Sequence, residues 1–202
     1  ETPWVRARFA DTLVGFGAAA TWPLVAYVTV NHRHETAGPV AAIRTLAAIG
    51  DDQAVKPLME VLHSARDPEI AIAVIEALGS SGNPLAAPAL RDSMRVADWR
   101  IRAKAATALG QVADTQALDV LAVALTDHNW WVRRNSAAAL AAIPGGMDRL
   151  FDALAGSDPY AADAAAEALA DVGELSAARS RVEAGAAMPR DHGLLAHAEV
   201  ER

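Results

Sequence analysis

Leucine recurs along this chain at a nearly fixed spacing. Leu13, Leu46, Leu78, Leu109, Leu140 and Leu169 fall 29 to 33 residues apart, each near the end of an alanine-rich stretch with helical periodicity. A period of that size builds stacked repeats, because each unit is a small supersecondary element that can bury its apolar side only against its neighbours. Three residues after each leucine stands Phe16, Ile49, Ser81, Val112, Ile143 or Val172, and one further on Gly17, Gly50, Gly82, Ala113, Pro144 or Gly173. This reads as an apolar helix end followed by a stop, since glycine takes the left-handed backbone that closes a helix and proline cannot continue one. Eleven residues before the leucines stand Thr2, Glu35, Asp67, Asp98, Asn129 and Asp158, with proline following in Thr2-Pro3, Asp67-Pro68 and Asp158-Pro159. Most of these are good N-caps, and proline in the first turn gives up a donor that had no partner. The spacing predicts long helices near 3–16, 36–49, 68–80, 98–112, 129–143 and 159–172.

A second, shorter helix is expected in each unit, near 18–30, 52–64, 84–96, 115–126, 147–156 and 175–185, with Pro23, Pro57 and Pro88 in first turns. The unit is a helical hairpin. The apolar run 18–30, "AAATWPLVAYVTV", is too short to span a membrane and is read as a buried repeat helix.

The segments "TPWVRARFADTLVGFG" (2–17), "DPEIAIAVIEALGSSG" (67–82), "DWRIRAKAATALGQVAD" (98–114) and "NWWVRRNSAAALAAIPG" (129–145) share an Asp-x-x-[Val/Ile]-Arg-x-x-Ala-x-x-Ala-Leu-x-x-[Ile/Val]-Gly pattern. It resembles the HEAT repeat, in the short bacterial form found in phycobilisome lyases. Two units depart from it, with Gly38-Pro39 and Ala161-Ala162 where the Val-Arg pair belongs. The resemblance implies an all-α, right-handed solenoid of about six stacked hairpins, forming one domain over 1–202 with a C-terminal cap at 175–202. It also implies a scaffold that binds other proteins, an argument by fold analogy.

Composition narrows the chemistry. Cysteine is absent, which removes disulfides, thiolate metal sites and cysteine nucleophiles. Among the histidines His32, His34, His63, His128, His192 and His197 there is a single His-Glu step, His34-Glu35, whereas the HEAT-like deoxyhypusine hydroxylases hold iron through several. The histidines are therefore expected in surface loops, and neither a metal nor another cofactor is expected. No Gly-rich phosphate loop or Gly-x-Ser-x-Gly elbow is present, so no catalytic residues are assigned. The net charge of −7 disfavours a nucleic-acid binder, although Arg91, Arg95, Arg100, Arg102 and Lys104 outnumber Asp92 and Asp98 over 91–104, and 148–183 is acidic. No membrane insertion is expected. The compartment is expected to be the cytoplasm. Because the chain opens on Glu1 without methionine, we expect a processed or trimmed product, which leaves open the soluble part of a longer or membrane-anchored protein.

Arg6, Arg102 and Arg133 stand seven before their leucines, where an arginine is expected to join repeats by meeting the acid or carbonyls at a neighbouring helix end, such as Asp67, Asp98 or Asp127. The aromatic residues point elsewhere. Trp4, Arg100, Trp131 and Tyr160 fall in one column nine before the leucine; Arg8, Lys104 and Asn135 fall in another, five before it, on the same side and opposite the buried positions. Adjacent tryptophans point about 100° apart, so Trp130 and Trp131 cannot both enter one core. Either one of them covers a hydrophobic seam, or Trp99, Arg100, Lys104, Trp130, Trp131, Arg134 and Tyr160 form a partner-binding strip on the concave face. The favoured expectation is a non-enzymatic scaffold that holds an acidic and apolar protein or peptide segment there. The alternative is a nucleic-acid-binding protein like the HEAT-like alkylpurine DNA glycosylases, using the same tryptophans and cations.

Overall fold

The chain is described by a computed structural model over residues 10–200. Expectations at Thr2, Trp4, Arg6 and Arg8 fall outside the described residues, while 10–15 are helical. Twelve α-helices follow among the described residues, with no strand. They are α1 (Thr21–Asn31), α2 (Ala37–Ile49), α3 (Val55–Ser64), α4 (Pro68–Ser80), α5 (Ala87–Ser93), α6 (Trp99–Gln111), α7 (Leu118–Ala124), α8 (Trp130–Ala142), α9 (Gly146–Leu154), α10 (Pro159–Asp171), α11 (Glu174–Glu183) and α12 (Pro189–Val200).

The starts of the long helices are dictated locally. Asp67, Asp98, Asn129 and Asp158 sit in extended backbone, and each accepts the N–H two residues on at 2.9 Å, from Glu69, Arg100, Trp131 and Tyr160. These bonds satisfy donors that the helix itself leaves open. Glu35, expected as a cap, is not one. The N-cap is Thr36, and its hydroxyl makes no cap bond but donates to Asp67 of the next repeat. The Glu35 carboxylate is engaged elsewhere, accepting the Tyr27 hydroxyl at 2.6 Å.

Short helices open differently from the expectation. Asp52–Ala54, Pro84–Ala86 and Thr115–Ala117 are 3₁₀ turns, each capped by the side chain before it, and the α-helix begins only afterwards. The long helix α2 closes on a left-handed residue, Gly50, where φ is +69° and the N–H returns to the Leu46 carbonyl. The one non-glycine in that region among the described residues is Ala113, at φ +52°.

Two compact units result, Glu1–Val112 and Ala113–Arg202. In the first, α2, α4 and α6 lie side by side, and α1, α3 and α5 each pack on the long helix that follows. In the second, α8 and α10 pack together with α7 and α9 against them, and α11 and α12 close on α10. Leu78, Leu109, Leu140 and Leu169 are wholly buried and Leu46 nearly so, while Leu13 is half-buried. Alanines fill the remaining layer, including Ala105, Ala106, Ala137 and Ala165, because a small side chain lets helix axes approach closely.

Two expectations are corrected. The run 18–30 is not a buried helix: α1 buries Leu24, Val25 and Val28, but Trp22 is 57% exposed and Tyr27 and Val30 also face solvent. A hairpin layer covers one stripe of a helix, whatever residues fill the other. His32, expected in a surface loop, is buried. Its Nδ1 lies 3.0 Å from the Val28 and Thr29 carbonyls and donates there, and its Nε2 lies 3.0 Å from the Ser64 hydroxyl, which itself donates to the Glu60 carbonyl. The pair ties the ends of α1 and α3. It sits among helix C-terminal carbonyls, which repel a developing oxyanion, so it is a structural tie rather than a nucleophile and its base.

The last two helices are fastened by a charge. Asp191 is fully buried; it accepts the Met188 N–H at 2.8 Å and two hydrogen bonds from Arg181, whose guanidinium also reaches Glu174. The Arg181 hydrogen bonds, then the Met188 N–H, hold the Asp191 carboxyl down at about 2. A depressed carboxylate contributes stability in full above its unfolded value near 4 and loses it as pH falls towards about 2. Asp191→Asn is therefore expected to lower the melting temperature at neutral pH, with the gap to the native protein closing on acidification through that window; a gap independent of pH would show that the charge does not matter.

Candidate functional site

Exposed aromatic rings mark a candidate surface in each unit. In the first unit, α6 carries Trp99, Arg100 and Lys104. Trp99 opens the helix and is 39% exposed. Arg100 is held from two sides: its guanidinium donates to the Asp98 cap at 2.7 Å and to Glu69 of the preceding repeat at 3.0 Å. The Arg100 side chain, together with its own N–H, holds the Asp98 carboxyl below the ordinary range. Lys104 pairs with Glu76 at 2.5 Å. Between α2, α4 and α6 runs a shallow groove of about 370 Å³, floored by Ala47, Ala73, Ala77 and Ala108 and rimmed by Arg44, Glu76 and Lys104.

The second unit gathers the other four candidates. Trp130 and Trp131 pack edge to face, with centroids 4.6 Å apart and planes at 71°, and both remain about half exposed, at 46% and 49%. Tyr160, at the corresponding turn of α10, is 63% exposed. The guanidinium of Arg133 lies over the Tyr160 ring at 5.1 Å, and that of Arg134 lies over Trp130 at 5.7 Å. Arg134 also donates to Glu167 of the next repeat at 2.9 Å.

The arginines divide their work in a way the sequence did not reveal. Arg102 donates to the Val96 and Ala97 carbonyls and Arg133 to those of Asp127 and His128, which fastens each to the loop leading into its own helix. Where Arg133 does reach the next repeat, it meets an aromatic ring rather than an acid. Pairs one repeat apart are made by Arg100, Lys104, Arg134 and Arg149, the last to Asp119 at 2.7 Å. All are exposed, so water and salt screen each pair and it adds little to stability. Sequence reasoning also missed the acidic side of α10. Asp163, Glu167 and Asp171 continue the exposed stripe that begins at Tyr160, a helical spacing of three, four and four that was readable in the chain.

Among the described residues no group of three or more His, Asp or Glu side chains is placed to hold a metal, and no helix is long and apolar enough to cross a membrane. The first unit thus presents a groove floored by alanine, and the second a cluster of exposed rings, each bordered by ion pairs.

Comparison with known proteins agrees with the repeat architecture. No curated protein matches the chain. Among solved structures, the complex of CpcE and CpcF of phycocyanin lyase from Nostoc sp. PCC7120 aligns with a TM-score of 0.58 at 22% identity, over 89% of this chain and 75% of that one. An engineered protein aligns with a TM-score of 0.52 at 25% identity, over 81% and 85%. Human deoxyhypusine hydroxylase in complex with glycerol aligns at 0.41, with 21% identity over 84% and 79%. The first of these likenesses establishes shared fold and no more. The sequence profile of HEAT repeats matches residues 30–102 and again 94–170, which together take in most of the helical hairpins described above, and the chain belongs to the HEAT-repeat family.

Proposed function

We propose that this chain is a non-enzymatic scaffold that holds a protein or peptide segment on the exposed face of its long helices. The observation that carries this is the second unit's cluster of Trp130, Trp131 and Tyr160, three large rings left about half exposed or more, where the column of Trp131 and Tyr160 holds only alanine at Ala37 of an earlier repeat. Tryptophan and tyrosine bury much area at small entropic cost, which is why they dominate binding hot spots. A repeat scaffold suits the task, since each unit adds side chains to a continuous surface without a closed pocket. CpcE and CpcF form a complex with one another, a precedent for helical repeats assembling with protein partners.

The acidic segment expected from the sequence presumed free cations at Arg100, Lys104 and Arg134. Each is paired with a carboxylate of the next or preceding repeat. The same pairing weighs against the nucleic-acid alternative, because a phosphate would have to displace those carboxylates to release counterions.

Trp131→Ala combined with Tyr160→Ala is expected to leave helical content and melting temperature nearly unchanged and to weaken capture of the chain's protein partners by about tenfold or more. Quantitative pull-down with native and variant protein measures this. A folded variant that captures the same partners equally well would place the binding surface elsewhere.

A further inference from the structure

The charge of the partner can be read from the second unit. Residues 113–202 carry fourteen Asp and Glu against seven Lys and Arg, whereas residues 1–112 carry eleven of each, so the whole net charge of −7 lies on the unit that bears the aromatic cluster. On α10 the exposed stripe runs Tyr160, Asp163, Glu167, Asp171, placing three carboxylates on the face that the aromatic residues open.

The cations that share this face are committed. Arg133 is fixed on the Asp127 and His128 carbonyls and under Tyr160, and Arg134 is bonded to Glu167 with Asp171 also acting on it. Asp163 meets His197 at 3.0 Å. Two arginines, one of them spent on carbonyls, and one histidine thus stand against three carboxylates. Among the described residues no cation lies over the Trp131 ring, although Arg134 lies over Trp130 beside it. An exposed indole face attracts a cation, and an acidic field around it draws one in.

Resting on the scaffold reading above, we propose that the second unit docks a protein segment carrying lysine or arginine beside apolar or aromatic side chains. The apolar groups pack on Trp131 and Tyr160, and the cations lie over the free indole and along Asp163, Glu167 and Asp171. An acidic segment would instead meet Asp163, Glu167 and Asp171, which have Arg134 between Glu167 and Asp171 and only a histidine at Asp163, a like-charge juxtaposition that specific interfaces avoid.

The test is panning of a displayed library of short random peptides against the full chain, followed by fluorescence polarisation with a synthetic copy of the strongest clone. Enriched peptides are expected to be net positive with aromatic or aliphatic neighbours, and their affinity is expected to fall with rising salt. Trp131→Ala with Tyr160→Ala should weaken binding about tenfold, and the near-isosteric Glu167→Gln with Asp171→Asn roughly threefold or more. Enrichment of acidic peptides that still require Trp131 and Tyr160 would overturn the charge assignment and leave the scaffold reading standing. Peptides that bind irrespective of Trp131 and Tyr160, or no enrichment at all, would overturn both. The charge of the enriched pool and the salt dependence are read on the native protein, so the outcome does not hang on any variant folding.

Discussion

Leu109→Ala and Leu140→Ala are each expected to lower the free energy of unfolding by about 2–5 kcal/mol. Both side chains are wholly buried, one in each compact unit, at the position where a long helix turns its most apolar edge inward. Part of the loss is the transfer energy of the deleted methyl and methylene groups. The rest depends on how far the surroundings collapse into the void. Here they collapse poorly, because the neighbouring layer is largely alanine, whose side chains have no rotamer with which to reach across a gap. Denaturant titration with linear extrapolation gives the comparison. A loss under about 1 kcal/mol at both sites would mean that these leucines do not form the core column.

Gly79→Ala and Gly193→Ala are expected to have opposite signs. Both glycines lie inside helices, α4 and α12, where alanine is favoured by about 1 kcal/mol on propensity alone. At Gly193 a new Cβ would meet nothing within 4 Å, so that gain should appear as added stability. At Gly79 the Cβ would come within 2.7 Å of the Ala108 Cβ and 2.9 Å of its Cα, and it would also strike Gln111. The obstacle is largely the backbone of α6, which cannot swing aside as a side-chain tip can. Relief requires α4 and α6 to separate, and overpacking of that kind costs roughly 1–3 kcal/mol, enough to reverse the propensity gain. Thermal or chemical denaturation of the two variants against the native protein measures both. Stabilisation at Gly79 would show that the two helices have room between them.

The same close approach separates what could be read from the chain from what could not. Gly79 follows Leu78 in a segment that otherwise fits the repeat pattern, and nothing local distinguishes it from a tolerated helical glycine. Its role exists only because Ala108 of the next repeat lies against it. Likewise the pairing of Arg100 with Glu69 and of Arg134 with Glu167 joins residues 31 and 33 apart, close to the repeat period, yet which acid meets which cation depends on the register in which helices stack.

Sequence by itself determined the helices, their order and most of their ends. Caps, stops and the leucine column act over at most one or two turns, so Asp67, Asp98, Asn129 and Asp158 could be placed from spacing alone. It failed where the capping groups found partners farther off, as Glu35 did with Tyr27 and Thr36 with Asp67 of the next repeat. Tertiary structure decided which apolar side chains stay wet, so that Trp22 faces solvent while Leu24 in the same helix does not. It buried His32 against Ser64, laid Arg133 on Tyr160, and consumed the cations that composition had made look free. The physical reason is one of range: hydrogen bonding within a turn is settled by neighbours in the chain, whereas burial and charge compensation are settled by whatever the next repeat brings within a few ångströms.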